Sequence, residues 1–369
     1  MKLLLCGGGT AGHVNPALAI AEAFKKNRTD AEIFFAGTEE GIEKRLASDA
    51  GYPFYPIKVA GFQRSLSPKN LRALYLALTS PIAAKAILRE LSPDLVVGTG
   101  GYVCWPILAA ATSLGIPSAI HESNAIPGLT VKRLAKRVDT VLLNFREAGA
   151  YLSRAKKIQV VGNPLRGGFS ALPREEAKAR LAIPKDARLI LSFGGSLGAE
   201  GINGAMLDLW EDYVLKQEGI YHLHGAGRRF GEAMRKEAMD RLGNLPPRIK
   251  IMDYISDMPL MMAAADLVVC RAGAMTVSEV ARAGRAAILI PSPHVAGDHQ
   301  TKNAMALRDA GAALLQKESE LSRGCLRAEV AHVLEDDDFR ARLESNAKGF
   351  DVPDANKRIY RALCRLIEK

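Results

Sequence analysis

The sequence predicts an α/β protein of two domains, each built on a doubly wound, mostly parallel sheet. Short β-branched or leucine-rich runs alternate with amphipathic segments along the chain, the pattern of a parallel sheet covered by helices on both faces. The order strand, glycine turn, helix opens at residue 2 and begins again at residue 188. Between the halves, residues 163–186 carry Pro164, Pro173 and Pro184 among several charges, as an interdomain connection does.

In the first half the strand-like runs are 2–6, 32–36, 94–98, 118–121, 139–143 and 159–162. A helical pattern over 16–26 starts at Pro16 and places Leu18, Ala19 and Ala23 on one face. The second half repeats the scheme with runs at 188–193, 220–223, 248–252, 266–270 and 287–290. In the tail, Ile359, Ala362, Leu363 and Leu366 predict a final amphipathic helix. The expected domains are therefore 1–162, with a helix over 354–369 packing back on it, and 163–353.

At 369 residues and 48% hydrophobic composition, the chain has more apolar material than one ordinary core needs, which excludes a disordered protein. Only 6% of residues are aromatic, which argues against a stacking surface for single-stranded nucleic acid. Cys6, Cys104, Cys270, Cys325 and Cys364 are widely spaced and form no CxxC pair, so reduced thiols are expected rather than disulfides or a zinc site. The apolar run before Gly7 is too short for a signal peptide. The apolar stretch 73–88 is broken by Thr79-Ser80-Pro81 and Lys85, short of the roughly 18 uninterrupted residues of a membrane span. No spanning segment is expected. A net charge of +10 favours an anionic partner: nucleic acid, anionic lipid or a phosphorylated substrate.

Gly7, Gly9 and Gly12 satisfy GxGxxG between a strand and a helix, where backbone N–H groups and a helix dipole approach an anion. A tight turn without ligand gives the same pattern. The second strand ends Phe35-Ala36-Gly37-Thr38, without the acid that a nicotinamide site uses. His13 in the same turn is a candidate general base or a residue capping its own turn. The loops 98–102 (Gly100, Gly101, Tyr102) and 121–124 (His121, Glu122) also follow strands, where doubly wound sheets bind ligands. Glu279 lies one turn inside a helix pattern and either reaches a ribose or simply favours the helix start. Gln300 and Asn303 end a Pro/Gly loop; amides there suit sugar hydroxyls or an ordinary polar loop. Asp336-Asp337-Asp338, the one strongly acidic run, lies outside every glycine loop and begins or flanks a helix.

Together, GGGTAGH (7–13), GTGGY (98–102), HESN (121–124), GNPLR (162–166), GGSLGA (194–199), CRAGAMTVSE (270–279) and HQTKNA (299–304) resemble the MurG family, in order over nearly the whole chain. These enzymes transfer N-acetylglucosamine from UDP-N-acetylglucosamine to undecaprenyl-pyrophosphoryl-muramoyl-pentapeptide, lipid I. The resemblance implies the GT-B type, two Rossmann-like domains facing a cleft, with the acceptor mainly on the first domain and the nucleotide sugar mainly on the second.

It places Thr10, Ala11, Gly12 and Asn124 at the donor, and Arg166 and Ser196 near its diphosphate. Ile255 would hold the uracil, Ala274, Met275, Thr276, Val277, Ser278 and Glu279 would line sugar, phosphate and ribose, and Gln300 with Asn303 would read sugar hydroxyls. Gly100, Gly101, Tyr102, His121 and Glu122 become acceptor-side candidates. Ala11 stands where a second glycine is common, and Met275 where leucine is common; neither removes a functional group. The implied transfer is inverting and needs no cofactor or essential metal, with His13 as base. The implied setting is the cytoplasmic face of a membrane, with an anionic surface, other cell-wall synthesis proteins and no nucleic acid as partners. Arg64, Lys69, Arg72, Lys85 and Arg89 flank Leu71, Leu74, Leu76, Leu78 and Ile82, which suits shallow docking on anionic lipid or an ordinary buried helix. Rival readings are another UDP-sugar enzyme, such as a UDP-N-acetylglucosamine 2-epimerase or a transferase with a different acceptor, a nicotinamide oxidoreductase, and a ligand- or nucleic-acid-binding protein without catalysis.

Overall fold

In the computed structural model the described residues are 1–61, 69–167, 169, 172–321 and 323–368. The chain divides into two compact units, Met1–Arg166 with Val352–Lys369, and Gly167–Asp351.

The first unit runs β1 (Lys2–Cys6), α1 (Ala11–Asn27), β2 (Glu32–Gly37), α2 (Ile42–Asp49), β3 (Phe54–Pro56), α3 (Lys69–Leu91), β4 (Leu95–Gly98), α4 (Cys104–Ser113), β5 (Ser118–Glu122), α5 (Leu129–Leu134), β6 (Thr140–Leu143) and β7 (Ile158–Val160). Its seven strands are all parallel, in the order β3-β2-β1-β4-β5-β6-β7. Alternate residues serve opposite cores. Leu4, Cys6, Val96 and Ile120 face α3, α4 and α5, while Leu3, Leu5, Leu95 and Val97 face α1 and α2. Both faces are covered, which is why the strands read as continuous apolar runs.

The second unit runs α6 (Arg174–Arg180), β8 (Arg188–Phe193), α7 (Glu200–Asp212), β9 (Ile220–Gly225), α8 (Gly231–Leu242), β10 (Ile249–Met252), α9 (Met258–Ala264), β11 (Leu267–Cys270), α10 (Ala274–Ala283), β12 (Ala286–Leu289), α11 (His299–Asp309), β13 (Leu314–Leu315), α12 (Arg323–Glu335) and α13 (Asp337–Phe350). Its six parallel strands are ordered β10-β9-β8-β11-β12-β13. Asp336 caps α13 by accepting the Phe339 N–H at 2.8 Å. The last helix, α14 (Ala355–Ile367), returns to the first unit and packs on α1, with Phe24 and Tyr360 edge to face at 4.9 Å.

Most of the 163–186 segment, expected as a connection at the start of the second domain, is packed into the second unit: Lys178 of α6 is buried and pairs with buried Asp266 at 2.7 Å. The same ammonium donates to the Ala187 carbonyl at 2.7 Å, and Asp266 accepts the Leu189 N–H at 2.8 Å, so the buried charges are also hydrogen-bonded, as such pairs require.

The stretch broken on paper at Thr79-Ser80-Pro81 forms one helix of 23 residues. Pro81 has no N–H for the Ala77 carbonyl, four residues back. The Trp105 indole N–H supplies the missing donor at 2.8 Å. By length and composition alone, residues 70–91 make the one described helix able to cross a membrane. Ala73, Ala84, Leu88 and Leu91 are nevertheless buried, the last three in the core beneath α4, which is the packing of a layer helix. Arg64 lies outside the described residues.

Candidate active site

Each sheet reverses its winding between two central strands, β1 and β4 in the first unit and β8 and β11 in the second, and ligand crevices form at such reversals. The loops singled out in the sequence lie at these carboxyl ends.

In the first unit the turn after β1 meets the loop after β4. Gly8 donates its N–H to the Gly100 carbonyl at 3.3 Å. Gly100 and Gly101 have φ of +111° and +84°, and a Cβ on Gly101 would stand 2.1 Å from the Gly8 carbonyl oxygen. Glycine is thus required by backbone angle and by space. Half-buried His13 packs on Gly100, and its Nδ1 lies 3.0 Å from the Gly8 carbonyl oxygen and 3.4 Å from Thr10 Oγ1. A carbonyl only accepts, so Nδ1 carries the hydrogen and Nε2 the lone pair of the neutral ring. Tyr102 covers the turn at Gly9, while Thr10 and Gly12 are exposed and Ala11 half-buried.

Sequence reasoning missed Glu43. Its carboxylate, 1% exposed, accepts the Gly9 N–H at 3.2 Å, the Thr38 N–H at 3.0 Å and the Thr38 hydroxyl at 2.6 Å. The Gly9 N–H is therefore committed to the protein's own carboxylate, which is not the arrangement of an open phosphate cradle.

The 121–124 loop is also organised from within. His121 is fully buried, with Nε2 2.9 Å from the Gly162 carbonyl; burial lowers its pKa to about 4, and the bond to Gly162 opposes this weakly. His121, expected on the acceptor side, is turned inward to that carbonyl. Glu122, 4% exposed, accepts the Asn124 N–H at 2.9 Å, the Asn124 side-chain amide at 3.0 Å and the Gly128 N–H at 2.9 Å. It shapes the loop and presents half-buried Asn124. Arg166 belongs to the first unit, where its Nε pairs with Glu22 of α1 at 2.7 Å with both side chains well exposed.

In the second unit exposed Ser196 tops a loop in which Gly195 and Gly198 have φ of +99° and +87°, directly before α7. α10 begins after Gly273 without a side-chain cap, so its first turn presents backbone N–H groups and the positive end of the helix dipole. Ala274 and Val277 are buried there, while Met275, Thr276, Ser278 and Glu279 are half-buried. Desolvation raises Glu279 to about 7. Ile255 is buried against Gly225 in the loop before α9.

Gln300 accepts the Ser292 N–H at 2.8 Å and so fixes the loop after β12. Asn303, expected to read a sugar, is fully buried, and its amide donates to the Ala272 carbonyl at 3.2 Å. It holds the β11–α10 loop from beneath. Arg271 was overlooked: it donates to the Ile290 and Pro291 carbonyls at 3.3 and 3.1 Å and pairs with Glu318 at 2.9 Å, tying the two loops together. Among the described residues no group of three or more His, Cys, Asp or Glu is placed to hold a metal ion.

The Glycosyltransferase family 28 N-terminal domain matches residues 3–143 and the Glycosyltransferase family 28 C-terminal domain residues 189–359. A protein of Acetivibrio thermocellus named UDP-N-acetylglucosamine–N-acetylmuramyl-(pentapeptide) pyrophosphoryl-undecaprenol N-acetylglucosamine transferase is 44% identical over 361 residues, 98% of this chain and 96% of that one. The crystal structure of Acinetobacter baumannii MurG is similar with a TM-score of 0.79 at 29% identity, covering 99% of both chains. The chain belongs to the MurG family. Its two parallel-sheet domains are those of the GT-B fold found in MurG. A Listeria monocytogenes protein described as a UDP-N-acetylglucosamine 2-epimerase matches at a TM-score of 0.71 and 16% identity, over 100% of this chain and 96% of that one, and shares the fold alone. MurG membership thus rests on whole-chain identity, and the glycine turns, taken singly, belong to a wider group of folds.

Proposed function

We propose that the protein is an inverting N-acetylglucosaminyltransferase, moving N-acetylglucosamine from UDP-N-acetylglucosamine to the 4-hydroxyl of undecaprenyl-pyrophosphoryl-N-acetylmuramoyl-pentapeptide and so forming lipid II for peptidoglycan. The observation that carries this is the full-length identity with the Acetivibrio transferase. The second unit holds the donor. The Gly195–Ser196 backbone with the start of α7 meets the diphosphate, and the first turns of α10, Ala274 to Ser278, meet sugar and phosphate. Glu279 accepts from the ribose hydroxyls, the Ile255 backbone from the uracil, and the Gln300 amide faces the sugar. Asn303 supports this surface from below.

The first unit holds the acceptor along Gly100, Gly101 and Tyr102, and contributes Thr10, Ala11, Gly12 and Asn124 to substrate binding. Nε2 of His13 takes the proton of the attacking hydroxyl as the oxygen bonds to the anomeric carbon and UDP leaves from the opposite face. Charge builds on the leaving diphosphate. Two helix N-termini and backbone N–H groups can stabilise it, so the proposed reaction needs no essential metal.

Membrane attachment is assigned to α3. Leu71, Leu78 and Ile82 are each at least 70% exposed, with Leu74 and Tyr75 on the same face and Arg72 and Arg89 exposed on the same helix. Such a surface suits peripheral docking on an anionic leaflet at the cytoplasmic face. The reading is tested with labelled UDP-N-acetylglucosamine and a soluble lipid I analogue. Labelled disaccharide and UDP should appear only with acceptor present; conversion of the nucleotide sugar without acceptor would replace this reading by an epimerase.

A further inference from the structure

β8, β9 and α7 enclose a set of polar side chains that the transfer does not use. Ser192, His222, His224 and Trp210 are fully buried, and Asn203 is 5% exposed. Trp210 Nε1 lies 2.7 Å from His222 Nδ1, His222 Nε2 lies 2.7 Å from Ser192 Oγ, and Ser192 Oγ lies 2.6 Å from His224 Nδ1. His224 Nε2 is 3.2 Å from Asn203 Oδ1, and Asn203 Nδ2 donates to the Ala226 carbonyl at 3.0 Å.

The two ends of this row fix every proton in it. An indole N–H only donates, so His222 Nδ1 accepts, and the hydrogen of the neutral ring sits on Nε2 and goes to Ser192. A backbone carbonyl only accepts, so Asn203 turns its NH₂ to Ala226 and its oxygen to His224, whose hydrogen must be on Nε2. Both arguments meet at Ser192, whose single hydrogen goes to His224 Nδ1. The row is a one-way relay from Trp210 to the Ala226 carbonyl.

That carbonyl abuts the glycine loop before α7. A Cβ on Gly198 would stand 2.1 Å from the Ala226 oxygen, and the Arg228 N–H donates to the Ser196 carbonyl at 3.3 Å. Trp210 and Asn203 lie two turns apart on α7, so the relay also fastens the helix to β9 at two points. Apolar side chains could fill this space, but they would not fix one hydrogen-bonded geometry.

We propose that Trp210, His222, Ser192 and His224 are positioning residues which, through Asn203 and the Ala226 carbonyl, set the 194–199 loop and the N-terminus of α7 against the donor diphosphate. This rests on the reading of that loop as the diphosphate seat. The four residues touch no substrate; they act through the backbone that does.

The experiment is calorimetric titration of the full-length protein with UDP. Ser192→Ala and His224→Leu, which interrupt the relay, should each weaken UDP binding by about tenfold, the scale of one broken buried hydrogen bond transmitted to the site. His224→Gln keeps a donor toward Asn203 and should restore most of the affinity. Val330→Ala, a core change on α12 that removes no member of the relay, should lower thermal stability and leave UDP binding unchanged. In the wild-type protein, nitrogen-15 NMR should find the hydrogen on Nε2 of both His222 and His224 at neutral pH. Either histidine carrying it on Nδ1, or His224→Leu binding UDP as Val330→Ala does, overturns the proposal. Gly198→Ala separates this failure from failure of the underlying reading: if it too leaves UDP affinity unchanged, the loop is not the diphosphate seat.

Discussion

Nδ1 of His13 lies 3.0 Å from the Gly8 carbonyl oxygen, and that contact decides which ring nitrogen can take a proton. With Nδ1–H donating to Gly8, Nε2 is the basic atom. His13→Ala should lower kcat by about 10²–10⁴-fold, the usual worth of a positioned general base, with the KM for UDP-N-acetylglucosamine within about threefold of wild type. Steady-state kinetics with the soluble acceptor analogue decide it. Unchanged turnover would remove His13 from the base role.

Glu279 gives donor binding a pH signature. Desolvation holds its pKa at about 7 in the free protein, and ribose hydroxyls donating to it would favour the carboxylate and lower that value. Binding should therefore release protons near pH 6–7. UDP affinity should rise from about pH 6 and level off above about pH 8. Calorimetry in buffers of different ionisation enthalpy counts the released protons, and Glu279→Gln should abolish the release.

Glu43 should matter more than its distance from the chemistry suggests. Glu43→Ala strands the Gly9 and Thr38 N–H groups; an unsatisfied buried donor costs about 1–3 kcal/mol. Both melting temperature and turnover should fall, because the displaced turn is the one that His13 leans on. Glu43→Gln keeps the shape and one acceptor oxygen, so its loss should be smaller in both measurements.

The buried histidines predict acid lability. Burial holds His121 at about 4, against its bond to the Gly162 carbonyl, and His224 at about 3, and drives His222 well below its ordinary value. Between those values and about pH 6.5 the unfolded chain binds protons that the native state does not. Stability is therefore complete above about pH 6.5 and falls as pH drops, by up to about 1.4 kcal/mol per pH unit for each histidine. Urea titrations at pH 7, 6 and 5 measure the slope, and replacing His121 with asparagine should reduce it.

The exposed face of α3 should govern membrane affinity alone. Leu78→Glu with Ile82→Glu removes two apolar side chains, each worth about 1.5–3 kcal/mol when buried. Binding to anionic vesicles should fall by at least about tenfold per residue, while turnover of a soluble acceptor stays at the wild-type level. Sedimentation with vesicles and the solution assay provide the two readings.

The central strands were legible because both faces of each sheet are buried, which makes a parallel strand a short unbroken apolar run. β3 and β13 escaped notice. One reads Phe54-Tyr55-Pro56, its proline tolerated at a sheet edge, and the other is only two residues long. The site was legible as loops and less so as roles. A polar residue in a loop announces hydrogen-bonding capacity without saying whether the partner is ligand or backbone: Gln300 is half-exposed, whereas His121 and Asn303 turn inward to carbonyls. Glu43 stands 34 residues from Gly9, and His222 and His224 are completed by Ser192, 30 and 32 residues away, and by α7 residues 12 and 21 away. Such partnerships exist only after folding.

The central claim is an inverting transfer to a single hydroxyl, and the linkage of the product tests it most directly. Disaccharide made by this protein from UDP-N-acetylglucosamine and the lipid I analogue should show, by proton and carbon NMR, a β-linked N-acetylglucosamine on O4 of the muramoyl sugar, with one UDP released per linkage. An α-linkage, attachment at another oxygen, or sugar-nucleotide turnover that ignores the acceptor would contradict it.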